Sequence, residues 1–199
     1  MNGMGDNYIS TLRRALSGST PKENHDQSRV RASVMILLFE KDGYDHVLLN
    51  VRSDTVVQHK GEIAFPGGVY NDDDVVFVQT ALREVHEEIG IKSDKIRVIA
   101  QLDDVRTNTT NFVISVFVGE IRYPYYPCLN PLEVADILEI PIKQLFDPNC
   151  IREEIRWIDS MPQKRYSYGI GQYLIHGATA NMIKQLQECY MNSDVEMKS

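Results

Sequence analysis

The chain has 199 residues and a formal net charge of −7, from 21 basic and 28 acidic side chains, with 43% hydrophobic residues. That length and mix describe one globular domain able to bury a core without disulfide staples. The acidic balance excludes a general nucleic-acid binder, which carries a basic surface. No stretch approaches the roughly 18 apolar residues of a membrane span.

The three cysteines, Cys128, Cys150 and Cys189, are odd in number and lack paired spacing. They read as reduced thiols in a cytoplasmic setting rather than as a zinc site. The N-terminus has no long apolar core of the secretory kind, and the terminal MKS is not a peroxisomal address.

In chain order, residues 7–16 predict a short amphipathic helix, and 17–28, SGSTPKENHDQS, a flexible polar connector. Residues 30–39 and 47–51 are apolar, β-rich runs. They are joined through a turn candidate at Asp42-Gly43, so they predict a hairpin. Glu62 to Phe65 predicts a short strand stopped by Pro66-Gly67-Gly68. A helical run over 75–89 follows, with Asp73 or Asp74 as N-cap and Gly90 as left-handed C-cap. Residues 96–102 and 112–121 predict strands, 123–131 a Pro- and Tyr-rich loop, and 132–138 a short helix. A turn at Asp147-Pro148, strands over 151–158 and 166–175 and a helix over 177–189 complete the chain. Strands and helices interleave, so the class is α/β or α+β. The expected organisation is an N-terminal helix and connector (1–28), one domain (29–190) and a frayed tail (191–199).

The informative segment is 81–91, ALREVHEEIGI. On a helix, Glu84, Glu87 and Glu88 stand at i, i+3 and i+4 and crowd one side, while Val85 and Ile89 share another. Like charges at this spacing repel, and two of them occupy the last turn, where the helix dipole disfavours anions. A hard divalent cation is the natural compensator. An ordinary helix with several glutamates simply presents a solvated face, so the charge geometry does not decide the matter by itself.

The wider pattern adds to it. Gly67-Gly68, an acidic loop, and then Arg83-Glu84-Val85-His86-Glu87-Glu88-Ile89-Gly90-Ile91 resemble the box of the Nudix hydrolases. The second half matches at every specified position. In the first half, the place usually held by glutamate is Val75, and the nearest acid is Asp74. One inserted loop residue accounts for this, as in the coenzyme A pyrophosphatase branch. Upstream, Arg52, Ser53, His59, Gly61, Phe65, Pro66, Gly67 and Gly68 fall in register with that branch. Asn50 replaces its usual threonine, and Val56-Val57 stands where it often has Leu-Arg. Downstream, Asn130-Pro131-Leu132-Glu133-Val134 resembles the branch's Asn-Pro-any-Glu-Val element, and His176 replaces a tryptophan before Gly177.

The resemblance implies an α/β/α sandwich around a mixed sheet and a metal-dependent pyrophosphohydrolase using Mg²⁺ or Mn²⁺. Glu84, Glu87 and Glu88 are the implied metal ligands. Arg83 orients them, and Glu133 serves as base or additional ligand. Arg52, His59, Gly67 and Gly68 line the substrate site; Gly68 also lets the loop turn and Gly90 ends the helix. A guanidinium such as Arg52 suits phosphate oxygens. The implied substrate is a coenzyme A-like nucleotide, with ADP-ribose or another nucleoside-diphosphate compound as the alternative. A non-catalytic binding module is the third reading, and isomerase chemistry through a cysteine finds no supporting motif. The implied assembly is a homodimer, with no nucleic-acid or membrane partner.

Overall fold

A computed structural model describes residues 7–55, 61–107, 110–158 and 160–196. Helix α1 (Tyr8–Leu16) leads to the long strand β1 (Val30–Lys41), which turns into β2 (Tyr44–Arg52). Both residues of that two-residue turn, Asp42 and Gly43, have positive φ (54° and 81°), the primed geometry that matches strand twist. Next come β3 (Ile63–Ala64), β4 (Gly67–Val69) and helix α2 (Phe77–Ile89). Strands β5 (Ile96–Gln101), β6 (Val105–Arg106), β7 (Phe112–Ile121) and β8 (Val134–Pro141) complete the main sheet. The short helix α3 (Ile142–Leu145), strands β9 (Ile151–Ile158), β10 (Met161–Ile170) and β11 (Tyr173–Ile175), and helix α4 (Gly177–Glu196) end the chain.

The eight-stranded sheet is mixed: β1 and β7 run parallel, and the other pairs are antiparallel. Alternation along β1 explains the layering. Met35, Leu37 and Phe39 join Ala81, Val85 and Ile89 of α2 in one core. Ile36 and Leu38 meet Ile9, Leu12 and Leu16 of α1 and Met182, Ile183 and Leu186 of α4 in the other. The result is the expected α/β/α arrangement. The first turn of α1 is held by the buried Asp45, which accepts from the Ile9 N–H at 2.9 Å.

β1 and β2 form a fork. They pair from Leu37↔Leu48 to Lys41↔Tyr44, then separate. Past the split, β1 takes β4 as partner at Ala32–Val34, and β2 takes β3 at Asn50 and Val51. Phe65 and Pro66 bridge the gap, with Pro66 O accepting from Met35 N.

Several expectations change. The 132–138 segment is not a helix: Val134–Pro141 is a strand paired with β2 from Arg52 to His46. Its ladder is non-local and overrides the short helical spacing. The 166–175 run is two strands hinged at Gly171 (φ 57°). The connector 17–28 is irregular yet anchored, with Lys22 N and Asn24 N donating to Asp103 and Asp104. Helix α4 continues past Cys189 to Glu196, through part of the tail expected to fray. The three cysteines are free thiols, and no helix among the described residues is long and apolar enough to cross a membrane.

Candidate active site

Helix α2 starts later than expected. Its N-cap is Val76, and Gln79 accepts from Val75 N and Val76 N at 2.8 and 3.3 Å. Asp74 is therefore no cap. Its carboxylate turns back under the helix and is 6% exposed. It accepts from Arg83 Nε and Nη2 at 3.2 and 3.0 Å, from Thr80 Oγ1 at 2.9 Å and from Asn71 N at 3.3 Å. The Arg83 guanidinium holds the Asp74 carboxyl below the usual range, and Asp74 in turn raises Arg83. Arg83 Nη1 also donates to Glu84 at 2.7 Å and to Glu87 at 2.9 Å, and Nη2 reaches Val69 O at 3.1 Å.

The three helix glutamates separate. Successive residues turn about 100°, so Glu88 lies over Glu84 while Glu87 lies over Arg83, roughly 100° from Glu88. Glu87 is half-exposed and engaged by Arg83. The carboxylates that converge are instead Glu84, Glu88 and Glu133, with ligand oxygens all within 4.8 Å of one another. Of the ligand set implied by the resemblance, Glu84 and Glu88 stand in this cluster; Glu87 stands beside it on Arg83, and Glu133 joins it.

Glu88 is 4% exposed. Its Oε2 accepts from Asn50 Nδ2 at 2.8 Å and from Gly67 N at 3.2 Å. Burial, then the Glu84 charge, push its pKa up to about 8, against the Gly67 N–H and Arg52. Burial also raises Glu84, opposed by Arg83.

The remaining wall is the 128–133 turn. Cys128 N and Asn130 N donate to the last α2 carbonyls, Ile89 O and Glu88 O, at 2.9 and 2.8 Å. Asn130 Nδ2 holds Glu133 Oε1 at 3.0 Å. Ser53 cinches this turn to β2: its N–H donates to Glu133 O at 2.9 Å and its hydroxyl to Pro131 O at 3.0 Å.

Two glycines act by close approach. A Cβ at Gly68 would collide with the Glu84 carboxylate, so this residue makes room for that side chain within a strand rather than forming the expected tight turn. Gly90 ends α2 at φ 74°, where a Cβ would lie 2.7 Å from Cys128 Cβ. Arg52 is half-buried beside the site, and His59 lies outside the described residues. Asn50, Ser53, Asp74 and Asn130 received no site role from the sequence. A polar residue inside the apolar run Leu48-Leu49-Asn50-Val51 was the available signal for Asn50, since a buried amide requires partners.

Residues 29–157 match the family model described as the NUDIX domain. The chain belongs to the Nudix family. It is 32% identical over 168 residues to an uncharacterized Nudix hydrolase, NudL, of Photorhabdus laumondii, covering 84% of this chain and 88% of that one. It is 36% identical over 186 residues to the chloroplastic Nudix hydrolase 22 of Arabidopsis thaliana, covering 88% of this chain and 61% of the relative. A MutT/nudix family protein from Enterococcus faecalis shares the fold at a TM-score of 0.55 and 14% identity, over 94% of this chain and 69% of that one. The chain is accordingly a Nudix pyrophosphohydrolase. Nudix hydrolases use divalent metal ions, and the cluster fits one: it offers only oxygen donors, and burial with the neighbouring carboxylate raises Glu88, a penalty that a bound cation would offset.

Proposed function

We propose that this Nudix hydrolase cleaves the pyrophosphate of coenzyme A or its derivatives, giving 4′-phosphopantetheine and adenosine 3′,5′-bisphosphate. Glu84, Glu88 and Glu133 would hold Mg²⁺ or Mn²⁺. The observation that carries the reading is the wiring of the upstream segment into the carboxylate cluster. Ser53 fastens the Glu133 turn, Gly67 N donates to Glu88, and Gly68 leaves room for Glu84. The residues that resemble the coenzyme A branch thus build the site itself, which supports the narrower substrate assignment.

Divalent cations held by these carboxylates would neutralise charge on the diphosphate and acidify a water molecule. The side chains do the rest. Arg83 holds Glu84 and Glu87 in place through charge-assisted hydrogen bonds. Arg52 sets a guanidinium beside the acidic cluster, where phosphate oxygens would lie. Glu133, held at one oxygen by Asn130, offers the other either to the cation or, as base, to the proton of the attacking water.

The test is hydrolysis by the full chain of a substrate panel holding coenzyme A, ADP-ribose and dinucleoside polyphosphates, with mass-spectrometric identification of products. Glu88→Gln serves as the comparison. Coenzyme A turnover is expected to exceed the others and to fall by orders of magnitude in the variant. Preferential cleavage of ADP-ribose rejects the substrate, and unchanged turnover by Glu88→Gln rejects the ligand role.

A further inference from the structure

Asn50 occupies an unusual position. It lies on β2 between strands on both sides, with Ala64 of β3 and Ile137 of β8 as register partners. It shares the α2-facing side of the strand with Leu48, and it is 2% exposed. Its backbone is thus fixed by two ladders, and its short side chain has little freedom. Nδ2 donates to Glu88 Oε2 at 2.8 Å, while Oδ1 is buried with no partner among the described residues. Reversing the amide would face Oδ1 toward a carboxylate oxygen, acceptor against acceptor, so the chemistry fixes the orientation. Gly67 N donates to the same Oε2. Among the described residues, no side-chain or backbone hydrogen bond is directed at Glu88 Oε1.

We propose that Asn50 is a positioning residue: its amide, with Gly67 N–H, occupies Glu88 Oε2 and so leaves Oε1 as the single oxygen Glu88 gives a divalent cation. The inference rests on the reading of Glu88 as a metal ligand. A carboxylate held at one oxygen suits a small octahedral ion, whereas one free to swing can coordinate through both oxygens, as larger ions accept. Partners that orient a ligand commonly change metal affinity by about 10–100-fold when removed. Asn50 thus favours the smaller ion by restraint, without itself touching metal or substrate.

The experiment compares Asn50→Val with Asn50→Thr, two side chains of one shape that differ by a hydroxyl donor. Mn²⁺ binding to the full chain is followed by electron paramagnetic resonance, and thermal denaturation confirms that each variant folds. Competition by Mg²⁺ and Ca²⁺ is measured on the same samples. The Val variant is expected to bind Mn²⁺ about 10–100-fold more weakly than the parent. It should also lose part of its preference for Mg²⁺ over Ca²⁺, and Thr should recover much of both. Equal affinities in the Val and Thr variants, or a Val variant as tight as the parent, overturn the proposal. Glu88→Gln separates the two levels. If it binds Mn²⁺ like the parent, the ligand reading fails. If it loses Mn²⁺ while Asn50→Val keeps it, only the positioning role fails.

Discussion

Asp74 and Glu88 are almost equally buried, at 6% and 4% exposure, yet their carboxyls are driven in opposite directions. Asp74 is held low because a guanidinium grips it and a hydroxyl and a backbone N–H complete its shell. Glu88 is pushed up to about 8 because burial and Glu84 outweigh two uncharged N–H donors and a more distant Arg52. Burial alone therefore does not mark a reactive carboxylate. The informative quantity is which groups face the carboxyl: Asp74 meets a guanidinium, whereas Glu88 meets a second carboxylate.

The comparison breaks most severely if Arg83 is removed. Arg83→Ala leaves Asp74 buried without its counter-ion and is expected to cost about 3–5 kcal/mol of stability, read by denaturant unfolding. A loss near that of an exposed ion pair would show that Asp74 is hydrated.

Glu88→Gln is expected to act in the other direction on the metal-free protein. Because the folded pKa lies above the usual carboxyl value of 4.5, the folded state binds the extra proton, and parent stability falls as pH rises from about 4.5 to about 8. The variant lacks that decline. Its advantage should reach a few kcal/mol near pH 8, from about 1.4 kcal/mol per pH unit, and shrink toward the acid end of the window. A parallel pair of stability–pH curves would sink this account.

Metal binding sharpens the same contrast. Since ligands bind ions in their deprotonated form, Mg²⁺ addition below about pH 8 should release protons, measured by calorimetry in buffers of different ionisation heat. The release should disappear in Glu88→Gln and persist in Glu87→Gln. Glu87→Gln is the smallest perturbation: it removes a half-exposed pair with Arg83 and should cost under about 1 kcal/mol. A collapse of activity in that variant equal to that of Glu88→Gln would put Glu87 back among the ligands.

What could be read from the chain follows from how local each signal is. Residues 112–121 and 151–158 are strands with the expected bounds because their own apolar and β-branched content carries them. Gly90 at the end of α2 and the Asp42-Gly43 turn were legible because positive φ demands particular residues. Val134–Pro141 was misread because its strand character comes from β2, far away in sequence. Spacing along α2 placed Glu84, Glu87 and Glu88 near one another, but which carboxylates face Glu133 depends on a turn far along the chain. Asn50 was noticed only as a departure from a familiar pattern; its partner, Glu88, is 38 residues away.

The cap on α2 has a mechanical corollary. Asn130 N grips the Glu88 carbonyl, and the same residue's side chain grips the Glu133 carboxylate. A small displacement of the helix end therefore carries the 128–133 turn along with it. Glu88 and Glu133, 45 positions apart in sequence, are thereby tied to one another through a single residue. Lengthening the 129–132 turn by one residue would uncouple them while leaving every carboxylate in the chain.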